Sequence, residues 1–220
     1  MEKAGYCLYD SVLSDSECDG LLTALAECRK QRSRAGVRHL MSILEVAALA
    51  SDTRLLQIAR QSLDGNAVAY RATLFEKSGR ANWLIYWHQD TALPLQSRFM
   101  ADDWQGWSTK QGILYAHAPA WALSRIVALR IHLDASTNDN GALRVVPGSH
   151  RFGVLSDEEI SRFDKQQAAE CFVARGGVLA MRPLLLHASS KARLDIPRRV
   201  LHIEYADALE LKPSICLAVA

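Results

Sequence analysis

From residue 66 onward the chain breaks into short β-branched or aromatic runs, and this cadence constrains its fold more than any other feature. The runs are AVAYRATLF (67–75), WLIYW (83–87), RIVALRIHL (125–133), ALRVV (142–146), CFVA (171–174), GVLAMR (177–182), LLLH (184–187) and RVLHIEY (199–205). Between them lie NDNGA (138–142), PGSH (147–150), RGG (175–177) and RP (182–183), whose Gly, Pro and Asn residues mark turns. A meander of short strands at this spacing predicts a β-sandwich or barrel.

The first quarter reads differently. Ser14 and Glu17 stand in capping-box spacing, and Cys18, Leu21, Leu22, Leu25 and Cys28 form one helical stripe, which predicts a helix over 14–31. Further helices are expected over about 40–48 and, after the Ser51-Asp52 cap signal, over 52–62. The expectation is one mainly β (α+β) domain over 1–220, with helices in 1–64 packed on one sheet of a jelly-roll core spanning 65–206. The stretch from Thr91 to Lys110 has little strand pattern and carries Phe99, Trp104 and Trp107, which predicts a mobile lid.

Composition narrows the class. A chain of 220 residues, 49% hydrophobic and 23% charged, can bury one sizeable core, which excludes a disordered or fibrous protein. The formal net charge of +2 gives no long-range attraction to nucleic acid or an anionic membrane. No apolar run approaches the ~20 residues of a membrane span, and the first residues lack a basic stretch followed by an apolar core. These features predict a cytoplasmic protein without nucleic-acid or membrane partners. The cysteines (Cys7, Cys18, Cys28, Cys171, Cys216) are odd in number and widely spaced, so reduced and mostly buried thiols are expected.

Among seven histidines, two lie in H-x-D triplets: His88-Gln89-Asp90 and His132-Leu133-Asp134. On an extended strand, residues i and i+2 project to the same face, so either triplet can offer an imidazole and a carboxylate to one ion. A distant histidine would complete the 2-His-1-carboxylate triad of a non-haem Fe(II) oxygenase. Spacing alone leaves both triplets open.

The run FEKSGRANWLIYWHQD (75–90), then GWSTKQG (106–112), LRIHLDASTNDNGALRVVPGSHRFG (129–153) and LLLHASSKARLDIPRRVLHIEY (184–205) together resemble the phytanoyl-CoA dioxygenase family of Fe(II)- and 2-oxoglutarate-dependent oxygenases. The resemblance implies a double-stranded β-helix, the cupin-like jelly roll, with iron and 2-oxoglutarate at one open end. It makes His88 and Asp90 of WHQD the first two metal ligands and His187 of LLLH the third, leaving His132 and Asp134 structural. A basic residue expected eleven positions after the distal histidine falls on Arg198, where a guanidinium can hold the far carboxylate of 2-oxoglutarate through two parallel bonds. Thr91 and Ser189 stand where relatives contact this cosubstrate, although Ser and Thr near strand ends also cap turns, and Lys77 in the FEKSG segment is a further candidate that also reads as a solvated surface residue. Asn140 and Gly141 read as turn geometry.

What the resemblance implies is oxidation of a small molecule by Fe(II), 2-oxoglutarate and O2, with release of succinate and CO2 and hydroxylation as the default outcome. Two other functions use the same residues: a cupin-like binding protein without turnover, and a metal-dependent hydrolase built on the same His/Asp/His site. Arg198 at the cosubstrate spacing speaks against both.

Overall fold

The structure, a computed structural model, describes residues 1–28, 36–63, 65–78 and 82–220. Its major sheet is antiparallel, with β1 (Tyr6–Tyr9), β10 (Val178–Met181), β7 (Ile126–His132), β12 (Arg198–Ala206) and β2 (Val68–Lys77) in that spatial order. A second antiparallel sheet faces it, ordered β3 (Ile85–His88), β11 (His187–Ser189), β8 (Leu143–Val145) and β9 (Ala169–Cys171). The two sheets make the expected jelly roll.

Strand β7 is buried along its whole length, because helices cover one face and the barrel interior takes the other. Leu129 and Ile131 join Leu201 and Ile203 in the cluster beneath α1 (Asp15–Ala24), α2 (Leu44–Ala50) and α3 (Thr53–Arg60). The alternate residues Ala128, Arg130 and His132 therefore point into the barrel. Helix α1 begins at the predicted capping box: Ser14 N donates to Glu17 Oε2 at 2.7 Å and Glu17 N donates to Ser14 Oγ at 3.3 Å. Arg54 of α3 reaches the same carboxylate at 2.6 Å; with the bonds from Ser14, it pulls the Glu17 carboxyl down to about 2. That contact clamps α1 to α3 over the sheet.

Helix α1 is shorter than the periodicity predicts, ending at Ala24 with Leu25 as its C-cap; residues 29–31 of the predicted span lie outside the described residues. A 3-10 turn over Leu40–Ser42 precedes α2, so the expected 40–48 helix is split and extends to Ala50. Short elements absent from the prediction are β1, α4 (Ala120–Leu123), α5 (Asp157–Arg162), β13 (Glu210–Lys212) and β14 (Ile215–Cys216). Of the free thiols, Cys18 and Cys171 are buried, while Cys7, Cys28 and Cys216 are half-buried. No helix among the described residues is long and apolar enough to cross a membrane.

The predicted lid is a correction. Residues Ala92–Leu95 (β4) and Gln105–Lys110 (β5) flank β6 (Ile113–His117) in a three-stranded antiparallel sheet. Trp104 is buried at 3% exposure, edge-on to Phe99 at 5.2 Å and to Trp121 at 6.2 Å. The segment is thus anchored by its own aromatic cluster, and only residues 96–104 link strands without a strand of their own. The C-terminal residues seal the free edge of β2, with Ala72 N donating to Ala220 O at 2.9 Å and Ala220 N to Tyr70 O at 2.7 Å.

Candidate active site

Strand pairing brings the two ends of the core together. His187 on β11 lies directly opposite His88 on β3, and their ring centroids are 4.2 Å apart. Asp90 follows β3 and is fixed by its backbone N, which donates to Pro183 O at 2.9 Å. Between them Gln89 points the other way and is buried; its amide donates to Gly153 O at 2.9 Å and Leu184 O at 2.8 Å, and its oxygen accepts from Leu155 N at 2.8 Å. Gln89 pins the strand end while its neighbours present their side chains.

His187 Nε2 lies 3.6 Å from Asp90 Oδ2, and His88 Nε2 lies 3.8 Å from Asp90 Oδ1. Candidate ligand atoms of all three residues fall within 4.8 Å of one another, the one such group of His, Cys, Asp or Glu among the described residues. The Nδ1 atoms face backbone carbonyls, Leu185 O for His187 and Tyr86 O for His88, each at 2.8 Å. A carbonyl only accepts, so Nδ1 carries the proton in both rings and the Nε2 lone pairs face the centre. Burial and the neighbouring His88 push His187 down to about 3, which keeps it a neutral ligand at pH 7. Burial acts to raise the Asp90 carboxyl, but His187, His88, His202 and Arg71 outweigh it and hold the group below the usual carboxylate range. Two neutral imidazoles and one carboxylate on one side of a point are a donor set suited to Fe(II). His88 and Asp90 keep 40% and 32% of their side chains exposed, so the other side is open.

The triad opens into a cavity of about 230 Å³ walled by Phe75, Trp83, Ile85 and Leu143 and containing Lys77, Arg130 and Arg198. Those three cations are 1%, 6% and 3% exposed, and among the described residues no ion pair reaches any of them. Burial and Arg198 lower Lys77 to about 7; burial and Arg130 lower Arg198 to about 9. The Nε atoms of Arg130 and Arg198 are buried without partners. Three crowded cations, two of them with an unsatisfied buried donor, fit a dicarboxylate that reaches from the triad to the cavity floor.

The remaining predicted residues separate into two groups. Ser189 is fully buried; its hydroxyl accepts from Lys77 Nζ at 2.7 Å and donates to Gly141 O at 2.8 Å, so it orients Lys77. Thr91 is not among the residues lining the cavity; its hydroxyl meets His117 Nδ1 at 2.6 Å on the small sheet. His132 and Asp134 do not converge: His132 is buried with neither ring nitrogen bonded, and Asp134 pairs with Arg199 at 2.6 Å. Arg198 lines the cavity while Arg199 holds Asp134 on the other side of β12.

Sequence reasoning missed three contributors. Arg130 sat in an apolar run and gave no signal beyond one charge among hydrophobes. Gln89 was the silent middle of the triplet. Gly141 reads as turn geometry in the sequence, but its carbonyl also accepts from Arg198 Nη1, and a side chain there would strike Ser190 O. Behind the triad runs a buried polar chain across the major sheet. Arg130 Nη1 donates to His202 Nδ1 at 3.2 Å, His202 Nε2 is 3.9 Å from Glu204 Oε1, and Glu204 pairs with Arg71.

The family model for phytanoyl-CoA dioxygenase (PhyH) matches residues 1–200. A curated relative, the ectoine dioxygenase of Nocardia farcinica, is 24% identical over 196 residues, covering 77% of this chain and 59% of that protein. The chain thus spans less than two thirds of the length of the curated ectoine dioxygenases it matches. Among solved structures, AviO1 from Streptomyces viridochromogenes superposes with a TM-score of 0.68 at 21% identity, covering 99% of this chain and 94% of that one. HygX from Streptomyces hygroscopicus with nickel, 2-oxoglutarate and hygromycin B bound gives 0.66 at 18% identity, covering 93% and 83%. These two likenesses concern the fold. With the family model spanning nearly all of the barrel that carries His88, Asp90 and His187, the chain belongs to the phytanoyl-CoA dioxygenase family.

Proposed function

We propose that this protein is an Fe(II)- and 2-oxoglutarate-dependent dioxygenase that hydroxylates a small molecule with release of succinate and CO2. The observation that carries the proposal is one cavity holding both a His/Asp/His donor set and three buried, unpaired cations. His88, Asp90 and His187 would hold the iron, and Lys77 and Arg198 would take the far carboxylate of the cosubstrate. Iron with bound 2-oxoglutarate and O2 supplies the oxidising power to replace a C–H hydrogen by hydroxyl. The chain's own contribution is orientation. Gly141 and Ser189 hold Arg198 and Lys77 in place, the backbone carbonyls of Tyr86 and Leu185 fix the two imidazoles, and Phe75, Trp83, Ile85 and Leu143 exclude water.

The family membership supports this reading, as does the 2-oxoglutarate in the HygX structure, and Thr91 is left out of the cosubstrate site. A hydrolase would have no use for Lys77, Arg130 and Arg198 collected beside the triad without an ion-pair partner among the described residues. The test is succinate formation from 2-oxoglutarate by the purified protein. It should require Fe(II) and O2 together and vanish when either is withheld; succinate formed equally without iron would refute the proposal.

A further inference from the structure

A second group of positive charges flanks the triad on the side away from Lys77. Lys77 and Arg71 lie on the same inner face of β2, six residues or roughly 20 Å apart. Arg71 Nη1 donates to Ala92 O at 2.9 Å, and Ala92 is two residues beyond Asp90, so this guanidinium backs the candidate iron ligand. Its neighbour is the buried ring of Tyr115 on β6, with Arg71 Cζ 5.8 Å and Lys110 Nζ 4.7 Å from the ring centroid. His39 stacks on the same ring at 6.2 Å, and its Nε2 meets the Tyr115 hydroxyl at 2.9 Å.

Arg38 adjoins His39 in the chain and adds its charge to the group. Burial, followed by the charges of Arg38 and Arg71, pushes both His39 and Lys110 below their ordinary values, so these groups share one electrostatic environment. Glu204 faces the cluster and is already bonded to Arg71, and the Asp90 carboxylate is a second one that Arg71 acts on. Among the described residues, neither Arg38 nor Lys110 has an ion-pair partner. His39 holds φ +62°, a left-handed conformation that non-glycine residues seldom adopt, and the Tyr115 bond keeps its ring in the cluster. Like charges gathered in a partly dry place repel one another, and an anion relieves that repulsion.

We propose that Arg38, His39, Arg71, Lys110 and Tyr115 form the site for an anionic group of the primary substrate, a carboxylate or a phosphate. The enzyme would then act on a small acid held by this group while another part of the molecule reaches the iron. The word substrate rests on the oxygenase function proposed above, but the anion site itself does not.

The test is a titration of the zinc-loaded protein, saturated with 2-oxoglutarate so that Lys77, Arg130 and Arg198 are occupied, with inorganic phosphate and separately with acetate. The NMR signals of the His39 ring are followed. At least one anion should bind in the millimolar range, and the tighter of the two identifies the phosphate or carboxylate class. Arg38→Met and Lys110→Met should each weaken it by about three- to tenfold, while Arg98→Met, whose guanidinium lies over Trp107, should change nothing. No shift of the His39 signals with either anion, or equal affinity in wild type and the Arg38→Met/Lys110→Met double variant, would overturn the proposal. Fe(II)–2-oxoglutarate binding, measured on the same variants, should be intact. If wild type failed to bind iron and 2-oxoglutarate yet phosphate still shifted His39, the oxygenase function would fall and the anion site would stand.

Discussion

His187 stands opposite His88 in the antiparallel ladder between β11 and β3, so the candidate iron site exists only when the barrel has closed. The pairing joins strands far apart in the sequence, and Asp90 is fixed by Pro183 from the segment just before β11. Site formation and folding are therefore coupled.

The first prediction follows from that coupling. A divalent metal that binds the closed barrel and not the unfolded chain stabilises it by about 2.7 kcal/mol at a concentration 100-fold above Kd, or roughly 5–10 °C in Tm for a chain of this size. Thermal melts of wild type with Fe(II) under anaerobic conditions should show the rise and chelator should remove it. His88→Ala should melt at the same temperature with and without metal.

Arg198 and Arg199 are neighbours with opposite duties. Arg198→Ala should weaken 2-oxoglutarate binding by about 30- to 1000-fold, the loss of a charge-assisted contact worth on the order of 2–4 kcal/mol. Arg199→Ala should leave that affinity nearly unchanged and instead lower stability by about 1–3 kcal/mol, because Asp134 loses a partner held at 2.6 Å. Calorimetric titration and urea unfolding of the two variants check both halves.

Lys77 gives the cosubstrate affinity a pH dependence. Burial and Arg198 lower it to about 7 in the free protein, and a bound dianion favours the charged form, so its value rises on binding. Above pH 7 binding must then take up a proton, and affinity should fall by up to about tenfold per pH unit until the bound-state value is reached. Below pH 7 the profile should be flat. Titrations at pH 6 to 9 should show this in wild type, while Lys77→Met should bind more weakly at pH 7 and lose the slope.

Gly141 supports both cosubstrate cations through one carbonyl. Its φ is +72°, and a Cβ would meet Ser190 O and crowd Lys77 Nζ. Gly141→Ala should cost about 1–3 kcal/mol of stability from the left-handed backbone and the clash together, and should also weaken 2-oxoglutarate binding by moving the Arg198 and Ser189 anchor. Unfolding and binding measured on the one variant test the link; a stability loss with cosubstrate affinity unchanged would show that the anchor does not orient Arg198.

Much of this architecture is legible in the amino-acid sequence because its signals are local. The Ser14–Glu17 box marks the start of α1, and the apolar run around Leu129 marks a strand buried on both faces. The His88/Asp90 pair, His187 and Arg198 are legible through the resemblance to the phytanoyl-CoA dioxygenase motifs, since spacing alone leaves both H-x-D triplets open, and the fold brings them to one cavity. The 91–110 segment is not legible. Strand β4 is four residues long and contains Pro94, tolerated because β4 lies at an edge of its sheet, while β5 is polar and half-exposed with no apolar alternation. Trp104 declares its burial only when Phe99 and Trp121 are folded around it. Arg130 is hidden for a related reason: its place on the inner face of β7 is set by which neighbours face the helices.

On the function proposed above, His88, Asp90 and His187, and not His132 and Asp134, hold iron with 2-oxoglutarate. Its most direct test is the visible charge-transfer absorption that an iron-chelated 2-oxo acid gives under anaerobic conditions. Wild type and His132→Ala should develop the band on addition of Fe(II) and 2-oxoglutarate, and His88→Ala and His187→Ala should lack it. A band retained in His88→Ala and lost in His132→Ala would contradict the account.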